Sequence, residues 1–378
     1  MKRAFQNSRS RARGFNLVEL MIGLTIALVF LLVVAGIFSN ANQQKNTTSS
    51  GADAQTSGAI ASHIIEREAR MAGFGLNVTD LLGCEIYSYD SQSSRSFVFS
   101  AVPAIITAGN TTVTASNPFG TPDSLTLSYG NSDVGYSSAK LSSANTGDNT
   151  NFKVTNRFGF HMGDVIVVAE PIDRYSPTAG APTSGTNSVN DCVLAQVNSL
   201  PPGVNSNNIG HDSSTYTDAQ GHTGVTPRYN KSTGLGISFT TNAEIYNFGS
   251  APVSATYTIN TRAELTRVDI VDSASVQAVA DNIVMMRAQY GKDTDGDGTV
   301  DTWDQVTPTT VDLWRQVRAI QFAIVARSQK KEGTMVTATS LVLWPGGPTL
   351  VLSDDQRKYR YKVFSSLVPL RNMIWSAS

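Results

Sequence analysis

The chain has 378 residues, 40% hydrophobic and 16% charged, with a formal charge of −1; it is too long for one small domain and apolar enough to build a substantial core. Five of its 29 Lys and Arg residues (Lys2, Arg3, Arg9, Arg11, Arg13) precede Gly14, which leaves 24 basic against 30 acidic groups in the remainder, so a phosphate-backbone binder is excluded and no direct nucleic-acid contact is expected. The two cysteines, Cys84 and Cys192, form no CxxC or Cys/His array, which excludes a zinc site of the usual kinds.

The basic block is followed by Leu20 to Phe38, nineteen residues with no charge and no Pro. At ~1.5 Å per residue this is roughly 28 Å of helix, close to the thickness of a bilayer's hydrocarbon core. A secretory signal has a shorter apolar segment of ~7–15 residues and a small-x-small cleavage site, whereas Ser39-Asn40-Ala41-Asn42-Gln43-Gln44 follows here. The segment reads as a retained membrane span, its N-terminus cytoplasmic by the positive-inside rule and the rest of the chain on the far side of the membrane. Glu19, at the mouth of the span, is the anomaly, because a charge there costs a few kcal/mol or more.

The order Arg13-Gly14-Phe15-Asn16-Leu17-Val18-Glu19 resembles the class III leader of type IV prepilins. That resemblance implies cleavage by a prepilin peptidase between Gly14 and Phe15, and N-methylation of Phe15. It also gives Glu19 a purpose. In a low-dielectric bundle of subunits the carboxylate can pair with a neighbouring subunit's amino terminus, and it lies in the first helical turn, where the helix dipole favours an anion.

From 40 to 58 the sequence is rich in Asn, Gln, Ser, Thr and Gly, which predicts a weak, partly unwound helix. SGAIASHIIEREARMAGFG restores a helical pattern. Ile60, Ile64, Ala69 and Met71 are expected on one face, Glu66, Arg67, Glu68 and Arg70 are polar, and Gly73 and Gly75 read as the stop. His63 has no partner one turn away and is expected to be exposed. The boundaries are then a leader at 1–14, a membrane-spanning helix at 15–38, the soluble part of the helix at 39–75 and a β-rich head at 76–378. The expected fold class is α+β and pilin-like, a long N-terminal helix on a β-dominated head.

In the head, SFVFSAV, DSLTLSYG, GDVIVVAEP, CVLAQVNS, LGISFTT, AEIYNFG, RAIQFAIVARS and TSLVLW read as strands, and VQAVADNIVMMRA as strand or short helix. Residues 130–150, 174–190 and 203–235 read as long loops. Cys84 and Cys192 face an oxidising compartment on this topology, so two readings stand: a disulfide closing a loop of about a hundred residues, or two separate buried thiols. No HExxH, G-x-S-x-G or phosphate-cradling glycine loop occurs. Ser137-Ser138-Ala139-Lys140 matches S-x-x-K only within a Ser/Asn-rich stretch, and His161, His211 and His222 are scattered. An enzyme is not expected.

One motif in the head is sharp. In GKDTDGDGTVDTWDQ, Asp293, Asp295, Asp297, Asp301 and Asp304 occupy positions 1, 3, 5, 9 and 12 of an EF-hand-like loop, with Gly298 at the turn and the Thr299 carbonyl at position 7. Hard oxygen donors alternating along a glycine-turned loop point to Ca2+, and so many carboxylates so close together repel one another without a cation. Position 12 is Asp where an EF-hand has a bidentate Glu, and flanking helices are not evident.

IIEREARMAGFG, the calcium-type loop after Tyr290-Gly291, VRAIQFAIVARS and YRYKVFSSLVPLRNM together resemble the PilW family of minor pilins. The resemblance covers the first 75 residues and roughly 280 to 373. It implies a structural subunit that primes assembly of a type IV pilus and stays near its tip. The implied partners are other minor pilins, the major pilin, a tip adhesin and the inner-membrane assembly platform, in support of twitching motility, adhesion or DNA uptake. Two alternatives stand beside it: a minor pseudopilin of a type II secretion system, and an uncleaved, membrane-anchored calcium-dependent binding protein.

Overall fold

The computed structural model describes residues 16–78, 80–110, 119–133, 138–170, 191–203, 207–272 and 274–374. The chain divides into two compact units, Met1–Ala52 and Asp53–Ser378. Within the first unit the described chain is helical: α1 runs Leu17–Met71, and its apolar side chains from Leu17 to Phe38 are exposed. The polar stretch expected to unwind stays helical throughout. Its residues are individually poor helix formers by less than ~1 kcal/mol each, and no Pro interrupts the ladder.

The second unit is β-rich, as its composition predicts. A six-stranded sheet has the order β2-β1-β8-β7-β10-β5, with β1 Glu85–Asp90, β2 Arg95–Ser100, β5 Ser138–Lys140, β7 Val165–Ala169, β8 Asp191–Gln196 and β10 Glu244–Gly249. A five-stranded sheet runs β13-β12-β11-β4-β3, from β3 Ala104–Thr107, β4 Ser124–Tyr129, β11 Val253–Ile259, β12 Leu265–Asp269 and β13 Val276–Ala280. A four-stranded sheet runs β15-β14-β16-β19, from β14 Ile283–Lys292, β15 Thr302–Asp304, β16 Val317–Arg327 and β19 Tyr361–Pro369. Two small pairs complete it, β6 Asn151–Lys153 with β9 Asn208–Gly210, and β17 Ser340–Val342 with β18 Thr349–Val351. The remaining helices are short, α2 Val311–Arg315 and α3 Arg371–Ile374.

Burial explains which sequence patterns were informative. Every residue of β7 is buried, because one face of the six-stranded sheet packs against Leu76, Leu81 and Tyr229 and the other against Phe152, Val154 and Phe239; a sheet covered on both faces reads as a continuous apolar run. LGISFTT, expected as a strand, contributes only an isolated bridge at Phe239. VQAVADNIVMMRA resolves into β13 and β14, with Asn282 at φ 61° between them.

The last third of α1 packs on the five- and four-stranded sheets through a face that partly matches the one expected: Ala69 is buried there and Ile64 packs partly buried against the same cluster. Ile60 and Met71 are exposed, while Ala54, Ala61, Ile65, Ala69 and Ala72 are buried with Leu125, Leu127, Tyr257, Phe322 and Ile324. Small residues win this face because the helix comes very close: a Cβ on Gly58 would stand 2.1 Å from the Phe364 ring and 3.0 Å from the Ala326 methyl. Glu68, expected on the polar side, is buried, its Oε1 3.3 Å from Arg267 Nε. His63 is exposed. Gly73 (φ +84°) and Gly75 (φ +79°) end the helix as expected, in the left-handed region that Gly occupies at least cost. The freed carbonyls of Met71 and Ala72 accept from Asn372 Nδ2 at 2.9 and 3.2 Å, so the C-terminal turn caps the end of α1.

Cys84 and Cys192 are joined as a disulfide, with Cα atoms 6.2 Å apart, inside the usual span. The register makes this possible: β1 pairs in parallel with β8, Ile86 opposite Cys192, which brings the residue before β1 to the start of β8.

Candidate anchor and metal site

Two features carry functional chemistry, and they lie in different units. The first is the span. Leu17–Ser39 is 23 residues long, apolar enough to cross a membrane, and none of it is buried inside the structure. A soluble core helix of that composition would be covered; an uncovered one needs lipid or other subunits around it. Glu19 occupies the first turn, where its own N–H donates to Asn16 O at 2.9 Å, and its side chain is exposed. Gly14 and Phe15 lie outside the described residues.

The second feature is the connection from β14 to β16. After Lys292 the chain makes a tight loop with Gly296 at φ +81° and Gly298 at φ +88°, then returns as β15 alongside β14, Asp304 opposite Tyr290. Asp293, Asp295 and Asp297 each present a carboxylate oxygen within 4.8 Å of the others. Asp293 is the buried member. One of its oxygens accepts from Gly296 N at 2.8 Å and the other from Gly298 N at 3.1 Å, while Arg318 Nε approaches at 3.2 Å. The loop is thus wrapped around one fixed carboxylate, with the other two exposed at its mouth.

The remaining residues of the EF-hand-like pattern do different work. Asp301 accepts from Thr294 N at 2.8 Å and Thr294 Oγ1 at 2.7 Å, and these bonds, with Thr302 Oγ1, hold its carboxyl below the usual carboxylate range. Thr299 donates from N and Oγ1 to Asp297 at 2.7 and 2.5 Å, which lowers the Asp297 carboxyl in the same direction. Asp304 is bound to Lys292 Nζ at 2.6 Å. The strand β15 accounts for this: where an EF-hand has a helix that returns its twelfth residue to the ion, this loop has a hairpin strand that places position 12 beside Lys292. Three hard oxygen donors of one charge converge here, a set that suits a divalent cation such as Ca2+ or Mg2+ better than a soft metal.

The histidines assemble no catalytic group among the described residues. His222 Nδ1 lies 2.7 Å from Asp218, within an exposed turn, and His161 Nδ1 is 3.5 Å from Asp164. His211 is fully buried against the Phe152 ring, centroids 4.2 Å apart, and burial lowers its pKa to about 4. Ser138 and Lys140 of the S-x-x-K match are exposed on β5, and Ser137 lies outside the described residues.

Reasoning from sequence missed two buried ion pairs that brace this region. Asp123, fully buried, binds Arg287 at 2.6 Å and also accepts from Gly109 N, Ala288 N and Gln305 Nε2; Glu68 meets Arg267. Each joins residues far apart in the chain, so no local pattern announces them.

Comparison with family models gives a match over residues 256–372 to PilW, described as type IV pilus-assembly protein W. The matched region begins in β11 and contains β12 to β19, the aspartate loop and α2. No curated protein and no solved structure matches the chain significantly. Over this C-terminal region, which holds the metal-type loop and the four-stranded sheet, the chain is similar to the PilW family, and the match supports a role in type IV pilus assembly.

Proposed function

We propose that the chain is a minor pilin that primes assembly of a type IV pilus and remains at or near its tip, supporting twitching motility, adhesion or DNA uptake. The observation that carries this reading is a combination: a PilW-type C-terminal region in one chain with an uncovered apolar helix that follows Arg13-Gly14-Phe15 and carries Glu19 in its first turn. On this reading a prepilin peptidase cuts after Gly14, Phe15 is N-methylated, and Glu19 pairs with a neighbouring subunit's amino terminus. A span packed among subunits removes its apolar surface from lipid and gives the Glu19 charge a partner, without which it would be costly. The chain enters the inner membrane with its head in the periplasm, then moves with the pilus to the cell surface. Its partners are other minor pilins, the major pilin, a tip adhesin and the assembly platform. The head, near three hundred residues, is bulky for a close-packed shaft and unconstrained at an end.

The loop at 293–304 is the proposed Ca2+ site, with Asp293, Asp295 and Asp297 as its core. Three carboxylates are fewer than the six to eight oxygens that calcium takes, so water and loop carbonyls complete the shell, or the exposed Asp301 swings in.

Mass spectrometry of this protein in sheared surface fibres tests the reading. A peptide beginning at N-methylated Phe15 is expected. A protein confined to the inner membrane and starting at Met1 would overturn it in favour of an anchored binding protein. A processed form that never leaves the membrane would favour a priming role without a place at the tip, or the secretion pseudopilin.

A further inference from the structure

The head has a groove of about 470 Å3 between the start of β1 and the segment that leads from the aspartate loop into α2. Its floor is apolar, with Trp314 and Val102 both buried. Its charged lining is of one sign: Asp80, Glu85 and Asp312. Among the described residues no Lys or Arg lines it; Arg315, outside the groove, lies 3.8 Å from Asp312 and offsets part of that charge, so Asp80 and Glu85 carry most of the groove's potential. Three carboxylates around an apolar floor, without a cation among the lining residues, raise the local negative potential and favour a cationic occupant.

The groove also continues. Glu85 and Tyr87 alternate onto the same exposed face of β1, opposite Ser100 and Val98 of β2. Tyr87 and Val98 are 40% and 42% exposed, and they line a second hollow of about 400 Å3 that reaches Tyr89 and Ser96; Lys231 also lines this hollow, its Nζ held over the Tyr89 ring at 4.8 Å, so the acid end of the track is where a further cation fits. From Glu85 to Tyr89 this face extends about 14 Å at the rise of a strand. A track of acid pocket followed by exposed aromatic and aliphatic side chains matches an extended polypeptide. A basic side chain can lay its stem on the Trp314 floor and its head among the carboxylates, while the neighbouring residues lie over Tyr87 and Val98.

We propose that this track is the docking site for an extended, Lys- or Arg-bearing segment of another pilus subunit. The source of that segment rests on the reading of the chain as a pilus component; its chemistry rests on the groove alone.

The test uses the full chain in the cells that make it, with a photoreactive residue in place of Ser100 in the groove or, separately, in place of Ile26 in the span. The Ser100 probe is expected to crosslink to another pilus subunit at a segment that carries Lys or Arg. Asp312→Lys should cut that yield roughly tenfold by placing a like charge where the partner's cation docks. The Asp312 side chain is 82% exposed, and thermal unfolding of the variant checks that the head remains folded despite the lost pairing with Arg315. Asp80→Asn with Glu85→Gln should weaken the crosslink in the same direction and leave the Ile26 crosslinks unchanged. A Ser100 crosslink that ignores all three changes, that falls on a segment without Lys or Arg, or that joins a second copy of this chain would overturn the proposal. So would the absence of any Ser100 crosslink while those from Ile26 persist. If the Ile26 probe also fails to reach another pilus subunit, the pilus reading itself fails, and the proposed source of the peptide goes with it.

Discussion

His211 shows how a single side chain sets a pH limit on the head. It is fully buried, and neither ring nitrogen has a hydrogen-bond partner in the structure, so the fold holds the neutral imidazole. Its folded pKa is about 4, against an ordinary value of 6.5, chiefly through desolvation. The unfolded chain therefore takes up a proton that the folded chain refuses. The His211 contribution is fully present above pH 6.5 and is lost as pH falls, until near pH 4 the folded form protonates as well. The full loss is roughly 3 kcal/mol at 1.36 kcal/mol per pKa unit. Urea unfolding at pH 7 and pH 5 should show the head weakening, and His211→Leu should remove much of that slope while retaining stability at pH 7. An equally steep slope in the variant would assign the effect to other groups.

Among the elements, α1 and the aspartate loop make opposite demands. The helix needs closeness. Gly58 leaves no room for a side chain beside Phe364 and Ala326, and Gly58→Val should destabilise the head by about 1–3 kcal/mol through overpacking, despite the better helix propensity of Val. A chemical unfolding midpoint equal to that of the parent would mean that Phe364 swings aside. The loop needs neutralisation. Saturating Ca2+ at a hundredfold excess over its Kd should stabilise the head by about 2.7 kcal/mol, and Asp293→Asn with Asp297→Asn should abolish that gain; no calcium-dependent shift in thermal unfolding of the parent protein would remove the metal assignment. Legibility in the sequence follows the same division. The aspartate spacing and the apolar span were readable because each is local and periodic. The contact face of α1 was readable only in part: Ala69 and Ile64 lie on it as expected, but Ala54, Ala61 and Ala72 are buried for their small size while the larger Ile60 and Met71 stay outside. Strands β1, β11 and β12 were missed because their polar-rich segments become strands through their partners, and β3 because Ala104–Thr107 is only four residues long. The place of Asp304 was likewise unreadable, because it depends on pairing between β15 and β14.

For the molecule as a whole, the division into Met1–Ala52 and Asp53–Ser378 separates the candidate membrane span from the folded head, and this yields a clean prediction for Glu19. The second unit contains the four apolar clusters, of which none draws on residues before Ala54, and the Cys84–Cys192 disulfide, which spans 108 residues and adds on the order of 4–5 kcal/mol in the chain-entropy account. Head stability is therefore expected to be indifferent to what happens at the membrane mouth. Glu19→Gln removes the charge and keeps the shape. It should leave the thermal unfolding of the head unchanged and should not hinder membrane insertion, since a neutral amide costs less in an apolar surrounding than a carboxylate. Incorporation into fibres should fall, because the amide cannot form the ion pair proposed with a neighbouring amino terminus. Quantifying the protein in sheared fibres against that left in the membrane reads the two effects separately. Undiminished incorporation would show that Glu19 is tolerated there and is not an assembly contact. A fall in fibres, with the membrane pool intact and the head as stable as before, would assign to this one carboxylate the step from membrane to pilus.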